Sequence, residues 1–253
     1  MARPIIHKLT VPEVEYIAFS LAKKLMEFFI STDKCYNIYM SINFHILTAS
    51  KDIQTYEPEL RSIAQSTTNA VKKFLPIKDV DIVFYDNPRG TIDEIGGIGG
   101  FTSNANQIFI SLNPRNVNFK KALNEELYFT LAHEFHHTIR WQKSVEGDPL
   151  LEALIFEGLA EHFAMQVTGR QKISLYSSAL TPEQKEIFLK KAKEVWLLLS
   201  YDNDLWFFGS EPEKIPRWAG YTLGYDLVEK YLKAHTDTSA SKLVTADASL
   251  FIS

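Results

Sequence analysis

The chain has 253 residues, of which 45% are apolar and 23% charged, with a formal net charge of -4. That is the balance of a soluble globular domain long enough to bury a core without staples, so a metal here serves chemistry rather than folding. No basic surplus marks a nucleic-acid binder, the single Cys35 excludes an intrachain disulfide, and no run approaches the ~20 apolar residues of a membrane span. The N-terminus lacks the apolar stretch and cleavage site of a signal peptide, which together with the lone cysteine reads as a cytoplasmic protein.

In chain order, Thr10 and Glu13 form a capping-box pattern. Val14, Ile17, Ala18, Leu21, Leu25 and Phe28 then recur at helical spacing, predicting an amphipathic helix to about Ile30. Residues 31–55 give no clean period and read as short helical or irregular pieces. A second helix is expected from Pro58 to Leu75, stopped by Pro76. Val80 to Tyr85 and Gln107 to Leu112 read as strands, rich in β-branched and aromatic residues. Between them, Gly96-Gly97-Ile98-Gly99-Gly100 reads as a flexible loop. The rest is helical: about Phe119 to Trp141; from Asp148-Pro149, cap and first-turn proline, to about Thr168; from Thr181, where Gln184 completes a capping box; and about Ala219 to His235. These elements predict one α+β domain with a short sheet, an N-terminal helical region over 1–75 and a core over 76–253 with a helical C-terminal half.

The chemistry concentrates in His-Glu-Phe-His-His at 133–137, an H-E-x-x-H pattern. Residues i and i+4 stack on one helix face, so the imidazoles of His133 and His137 can converge on one Zn²⁺, while Glu134 can reach a water at the metal without binding it. A zinc site needs a third ligand. Glu157 lies 20 positions after His137, enough for a helix end, a turn at Gly147-Asp148-Pro149 and a second, antiparallel helix that returns a carboxylate to the histidines. Glu161, one turn further, is placed to hydrogen-bond the far nitrogen of a ligand histidine. Leu154, Ile155, Phe156, Leu159, Ala160, Phe163 and Ala164 leave this helix little solvent face, so both carboxylates need partners. His136 and His162 fall off the metal face.

These residues resemble the gluzincin metallopeptidases, whose third zinc ligand is a glutamate on the following helix. More narrowly, His-Glu-Phe-His-His-Thr-Ile-Arg-Trp, Glu-Gly-Leu-Ala-Glu and Gly220-Tyr221-Thr222-Leu223-Gly224-Tyr225 resemble the YjaZ-like predicted zinc-dependent proteases of bacteria, from roughly Val80 to Tyr231. The resemblance implies a zincin-like fold, with a short mixed sheet packed on the H-E-x-x-H helix, and zinc-dependent hydrolysis of a peptide or protein substrate. In that chemistry Glu134 is the general base and a tyrosine or histidine far downstream steadies the oxyanion. Tyr221 is preferred for that part because Gly220 permits close approach; Tyr225 and His235 are the other candidates. The chain departs from the thermolysin pattern at Glu161, where that pattern has aspartate, and at Phe156, where it has asparagine. Peptides in this fold class add as a strand to a sheet edge, and Gln107 to Leu112 is the expected edge. The competing reading is a zinc-holding protein that binds or regulates without cleaving, but the intact Glu134 gives it no support.

Overall fold

Strand formation begins where side chains alternate. Ile42–Ile46 (β1) and Val80–Asp86 (β2) alternate between more and less buried positions, the mark of strands with one face on a core. The computed structural model describes residues 41–143, 149–211 and 214–252. The helix expected over Thr10 to Ile30, Cys35, and the turn residues Gly147 and Asp148 lie outside them. β1, β2, Ile98–Asn104 (β3) and Gln107–Leu112 (β4) form one mixed sheet in the order β1-β2-β4-β3, with the first two pairings parallel and β3 antiparallel to β4. The helices among the described residues are Glu57–Val71 (α1), Phe119–Glu125 (α2), Leu127–Arg140 (α3), Leu150–Thr168 (α4), Pro182–Val195 (α5), Asn203–Phe208 (α6) and Ala219–Ala234 (α7). The fold is therefore α+β and mostly helical. Residues 41–253 form one compact unit, so β1 and α1 share it with everything downstream.

Four expectations need correction. Residues 41–55 are not all irregular: Ile42, Phe44 and Ile46 carry strand β1, packed against the core. Gln107–Leu112 is not the edge, because β4 is hydrogen-bonded to β2 on one side and β3 on the other. The edge on that side is β3, which contains part of the glycine stretch read as a loop. Gly96 and Gly97 do turn, with φ of 87° and 79°, a left-handed backbone that glycine adopts without steric cost. Gly99 and Gly100 are strand residues in close quarters. The single helix expected over Phe119 to Trp141 also breaks at Glu126, whose φ is -104°. The sequence there holds neither Pro nor Gly. A tertiary ion pair sits at the break instead, the Glu126 carboxylate meeting Arg170 at 2.7 Å.

Other elements follow their local signals. Thr181 and Gln184 cap α5 reciprocally, the Thr181 hydroxyl accepting from the Gln184 amide at 3.3 Å and the Gln184 side chain accepting from the Thr181 amide at 2.9 Å. α6 escaped the sequence reading; it is six residues long and capped by Asp202, which accepts from the Leu205 amide at 3.0 Å. α4 is apolar around its circumference and accordingly buried, its first ten residues including Leu151, Leu154, Ile155, Gly158 and Leu159 inside the core.

α3 and α4 run antiparallel, as their cross-helix pairs show: Arg140 with Glu152, His137 with Glu157, and His133 with Glu161. Fully buried Arg140 fastens one end, meeting Glu152 at 2.5 Å and donating to the carbonyls of Val244 and Ala246 at 3.1 Å each. α7 crosses α4 where two glycines meet. A Cβ on Gly158 would stand 2.2 Å from the Gly224 carbonyl oxygen, and one on Gly224 would stand 2.0 Å from the Leu154 carbonyl oxygen. Only a helix pair without these side chains comes so close. The crossing sets Glu157 and Tyr221, each within a turn of it, on the same cavity. No helix among the described residues is long and apolar enough to cross a membrane.

Candidate metal centre

His133 and His137 present their rings from successive turns of α3, with centroids 4.6 Å apart and nearly perpendicular. Glu157 comes to them from α4. Its Oε2 lies 3.1 Å from His133 Nε2 and 3.5 Å from His137 Nε2. One ligand atom from each of the three residues falls within 4.8 Å of the others. Two atoms each ~2.0–2.1 Å from a tetrahedral zinc stand about 3.3 Å apart. The two histidine–carboxylate distances lie near that value, and the two-imidazole, one-carboxylate donor set is one that zinc takes.

Charge in the site is balanced internally. Burial alone would push the His133 imidazole down, but the hydrogen bond and charge of Glu157, with Glu134 and Glu161 nearby, hold it up at about 9. Burial likewise opposes ionisation of Glu157, but the two histidines outweigh it and hold its carboxyl well below the usual range. Positive charge on His133 and negative charge on Glu157 therefore favour each other.

Glu161 is fully buried and accepts a hydrogen bond from the Ser174 amide at 2.9 Å. Its other oxygen faces His133 Nδ1 at 4.0 Å, beyond hydrogen-bond length. Neither of those two atoms has another hydrogen-bond partner among the described residues, so a small rotation of the carboxylate would satisfy both. Phe156 stacks on His137, with centroids 4.1 Å apart and planes 11° from parallel, and fixes that ring by packing.

Glu134 stands apart from the three converging residues. It is 5% exposed, and the Thr102 hydroxyl donates to its Oε2 at 2.7 Å. Trp141 Nε1 donates to the Thr102 carbonyl at 3.0 Å, tying edge strand β3 to the end of α3. Gly100 makes room, since a Cβ there would lie 2.4 Å from a Glu134 carboxylate oxygen. Glu134, His137, Glu157 and Tyr221 line one cavity of about 790 Å³.

The three candidates for a downstream donor separate cleanly. Tyr221 lies on the cavity, its hydroxyl pushed well above its ordinary range by burial and by the charges of Glu157 and Glu134. Gly220 serves packing rather than ligand approach, for a Cβ there would lie 2.7 Å from the Phe207 ring. Tyr225 turns away, its hydroxyl 3.4 Å from Glu229 and its ring stacked on His162 at 4.3 Å. His235 is exposed and stacks on Tyr231. Sequence reasoning missed two neighbours, Thr102 and Tyr176, whose ring stands 6.3 Å from that of His133 and 5.1 Å from that of Tyr221.

Of the two remaining histidines of this region, His136 is a core residue and His162 is half-buried. His136 is fully buried near Phe163, and burial pushes its pKa well down. Burial also lowers His162, whose ring meets the Tyr225 carbonyl at 3.2 Å. The unfolded chain then takes up a proton near pH 6.5 that folded His162 refuses. Stability is full above about pH 6.5 and falls as pH drops below it. We expect His162→Gln to flatten that slope by about one proton in urea unfolding measured from pH 7 to 5; an unchanged slope would show that this ring does not govern it.

Comparison with known proteins agrees with this geometry. The chain is 32% identical over 123 residues to the uncharacterized protein YjaZ of Bacillus subtilis (strain 168), covering 46% of this chain and 44% of that one. It is 28% identical over 174 residues to the uncharacterized protein YjfC of the same organism, covering 62% of this chain and 53% of that one. The chain thus spans about half the length of the curated relatives it matches. A family model described as "Predicted Zn-dependent protease (DUF2268)" matches residues 60–253, which takes in β2 to β4, both site helices and Tyr221. On a match of that extent, the chain belongs to this YjaZ-like family of predicted zinc-dependent proteases.

Proposed function

We propose that the chain is a zinc metallopeptidase of gluzincin type on a zincin-like fold. His133, His137 and Glu157 would hold the ion, and Glu134 is the general base. The observation that carries the reading is the placement of a separate, buried carboxylate, Glu134, on the same cavity as His137 and Glu157. Bound zinc would supply Lewis acidity toward the scissile carbonyl and toward water. Glu134 accepts the proton of the attacking water and returns it to the leaving amine. Thr102 holds the Glu134 carboxylate by its hydroxyl, and Tyr221 donates to the oxyanion. Glu161 orients His133 from behind, and edge strand β3 is where a peptide backbone can add as a strand. A single peptidase domain with its catalytic core from residue 76 is part of the proposal; β1 and α1, upstream of it, pack with that core.

The test is metal analysis with a peptide-library cleavage assay. Protein purified without added zinc is expected to carry about one metal per chain and to cleave, with a chelator abolishing cleavage and zinc restoring it. Glu157→Ala removes one of three ligands and is expected to weaken zinc binding by at least about 100-fold in competition titrations. Full zinc occupancy in that variant would dismiss the assigned ligand set.

A further inference from the structure

We propose that the cavity selects peptide segments with a large apolar side chain, aromatic above all, beside the scissile bond, and disfavours acidic ones. This inference rests on the peptidase reading and names its substrate class. The cavity does not end at Glu134 and His137. Phe156, stacked on His137, meets Trp141 edge to face with centroids 5.8 Å apart. From there the wall continues to Leu199, Phe207 and Phe208, an apolar lining continuous with the reacting centre. The Trp141 bond to the Thr102 carbonyl fixes this wall in place before any ligand arrives.

The rim carries large exposed apolar side chains beside the polar Asn203 and Asp204. Phe101 is 63% exposed, Leu199 74% and Phe208 60%. They come from three separate parts of the chain: β3, the turn after α5, and the end of α6. Large apolar groups converging from separate elements on the mouth of one cavity mark a ligand-binding surface. The volume of about 790 Å³ falls within the range of small-ligand sites, about 300–1,000 Å³.

Charge sets the exclusion. The carboxylates of the lining are Glu134, Glu152, Glu157 and Asp204, and apart from His137 no basic side chain lines it among the described residues. Glu152 is already held by Arg140. Away from the ion that His133, His137 and Glu157 would hold, a substrate carboxylate beside these groups finds no lysine or arginine to receive it and loses its hydration. The same lack disfavours a free C-terminal carboxylate in the cavity, which points to internal bonds rather than C-terminal residues as the target.

The experiment uses the full zinc-loaded chain and internally quenched peptides of one sequence, varied through Phe, Leu, Gly and Asp on each side of the cleaved bond. On one side, kcat/KM for Phe and Leu should exceed that for Gly by at least about tenfold, with Asp lowest. Phe208→Ser and Leu199→Ser should each narrow the Phe-to-Gly ratio several-fold. Binding of the same peptides to Glu134→Gln protein, read by fluorescence anisotropy, should follow the same order. Hydrolysis at rates indifferent to the varied residue, and unaffected by either variant, overturns the selectivity and leaves the peptidase reading standing. Graded binding without hydrolysis by the unsubstituted chain overturns the peptidase reading and keeps the apolar site. Neither binding nor hydrolysis overturns both.

Discussion

Replacing Glu134 with glutamine should lower kcat for a cleaved peptide by about 10²–10⁴-fold while leaving about one zinc bound per chain. The two halves of that result come from one geometric fact. Glu134 is next to His133 in sequence but is not one of the three groups whose atoms converge within 4.8 Å. Its charge acts on His133 from outside the ligand set, beside the nearer Glu157, so its loss should weaken zinc binding far less than loss of a ligand. Its environment is nevertheless built around a carboxylate. The Thr102 hydroxyl donates to Oε2 at 2.7 Å and also to the Glu134 carbonyl at 3.0 Å, and Gly100 leaves the space the carboxylate fills. Glutamine has the same shape and can still accept from Thr102 through its carbonyl oxygen, so the fold should tolerate it. It cannot accept a proton from water at neutral pH. Single-turnover rates and metal content measured on the same preparation decide the matter. An unchanged rate would remove Glu134 from the chemistry, whereas loss of zinc would show that the substitution disturbed the site itself.

Much of this site is legible in sequence because its rules are local. The i, i+4 spacing of His133 and His137, the apolar surroundings of Glu157 and the reciprocal cap of Thr181 and Gln184 depend on residues a few positions apart. What stayed illegible depends on neighbours distant in sequence. Strand order is one case: Gln107–Leu112 and the glycine stretch adjoin in sequence, but only pairing with β2 decides which of them is the edge. The glycines themselves mislead, since their low strand propensity reads as a loop, while their value at 99 and 100 is the absence of a Cβ where Gly90 and Glu134 press in. The break at Glu126 has its partner, Arg170, 44 residues away. Tyr221 and Tyr225 are the sharpest example. Four apart on one helix, they share a face by periodicity, and sequence cannot choose between them. Tertiary contacts set their surroundings apart: Tyr221 reaches the cavity, and Tyr225 is taken up by His162 and Glu229.

The second large effect is expected at a residue that touches no ligand. Gly158→Ala should destabilise the protein by about 3 kcal/mol or more, at the upper end of overpacking costs, and should weaken zinc binding as well. A new Cβ would meet three backbone atoms of α7: the Gly224 oxygen at 2.2 Å, the Gly224 carbonyl carbon at 2.4 Å and the Tyr225 nitrogen at 3.0 Å. Backbone cannot rotate aside as a side chain can, so the helices must move apart. α4 carries Glu157 and α7 carries Tyr221, and separation of the pair displaces the proposed metal ligand and the proposed oxyanion donor together. The better helix propensity of alanine, worth about 1 kcal/mol over glycine, would favour the variant if the crossing were loose. The sign of the effect therefore tests the contact. Gly224→Ala presses on Leu154 from the other side of the same crossing, so the double variant should cost less than the two single costs added together. Urea unfolding with and without zinc, alongside zinc competition, measures both consequences. A Gly158→Ala protein at least as stable as the parent, with unchanged zinc affinity, would mean that the α4–α7 crossing does not position the site.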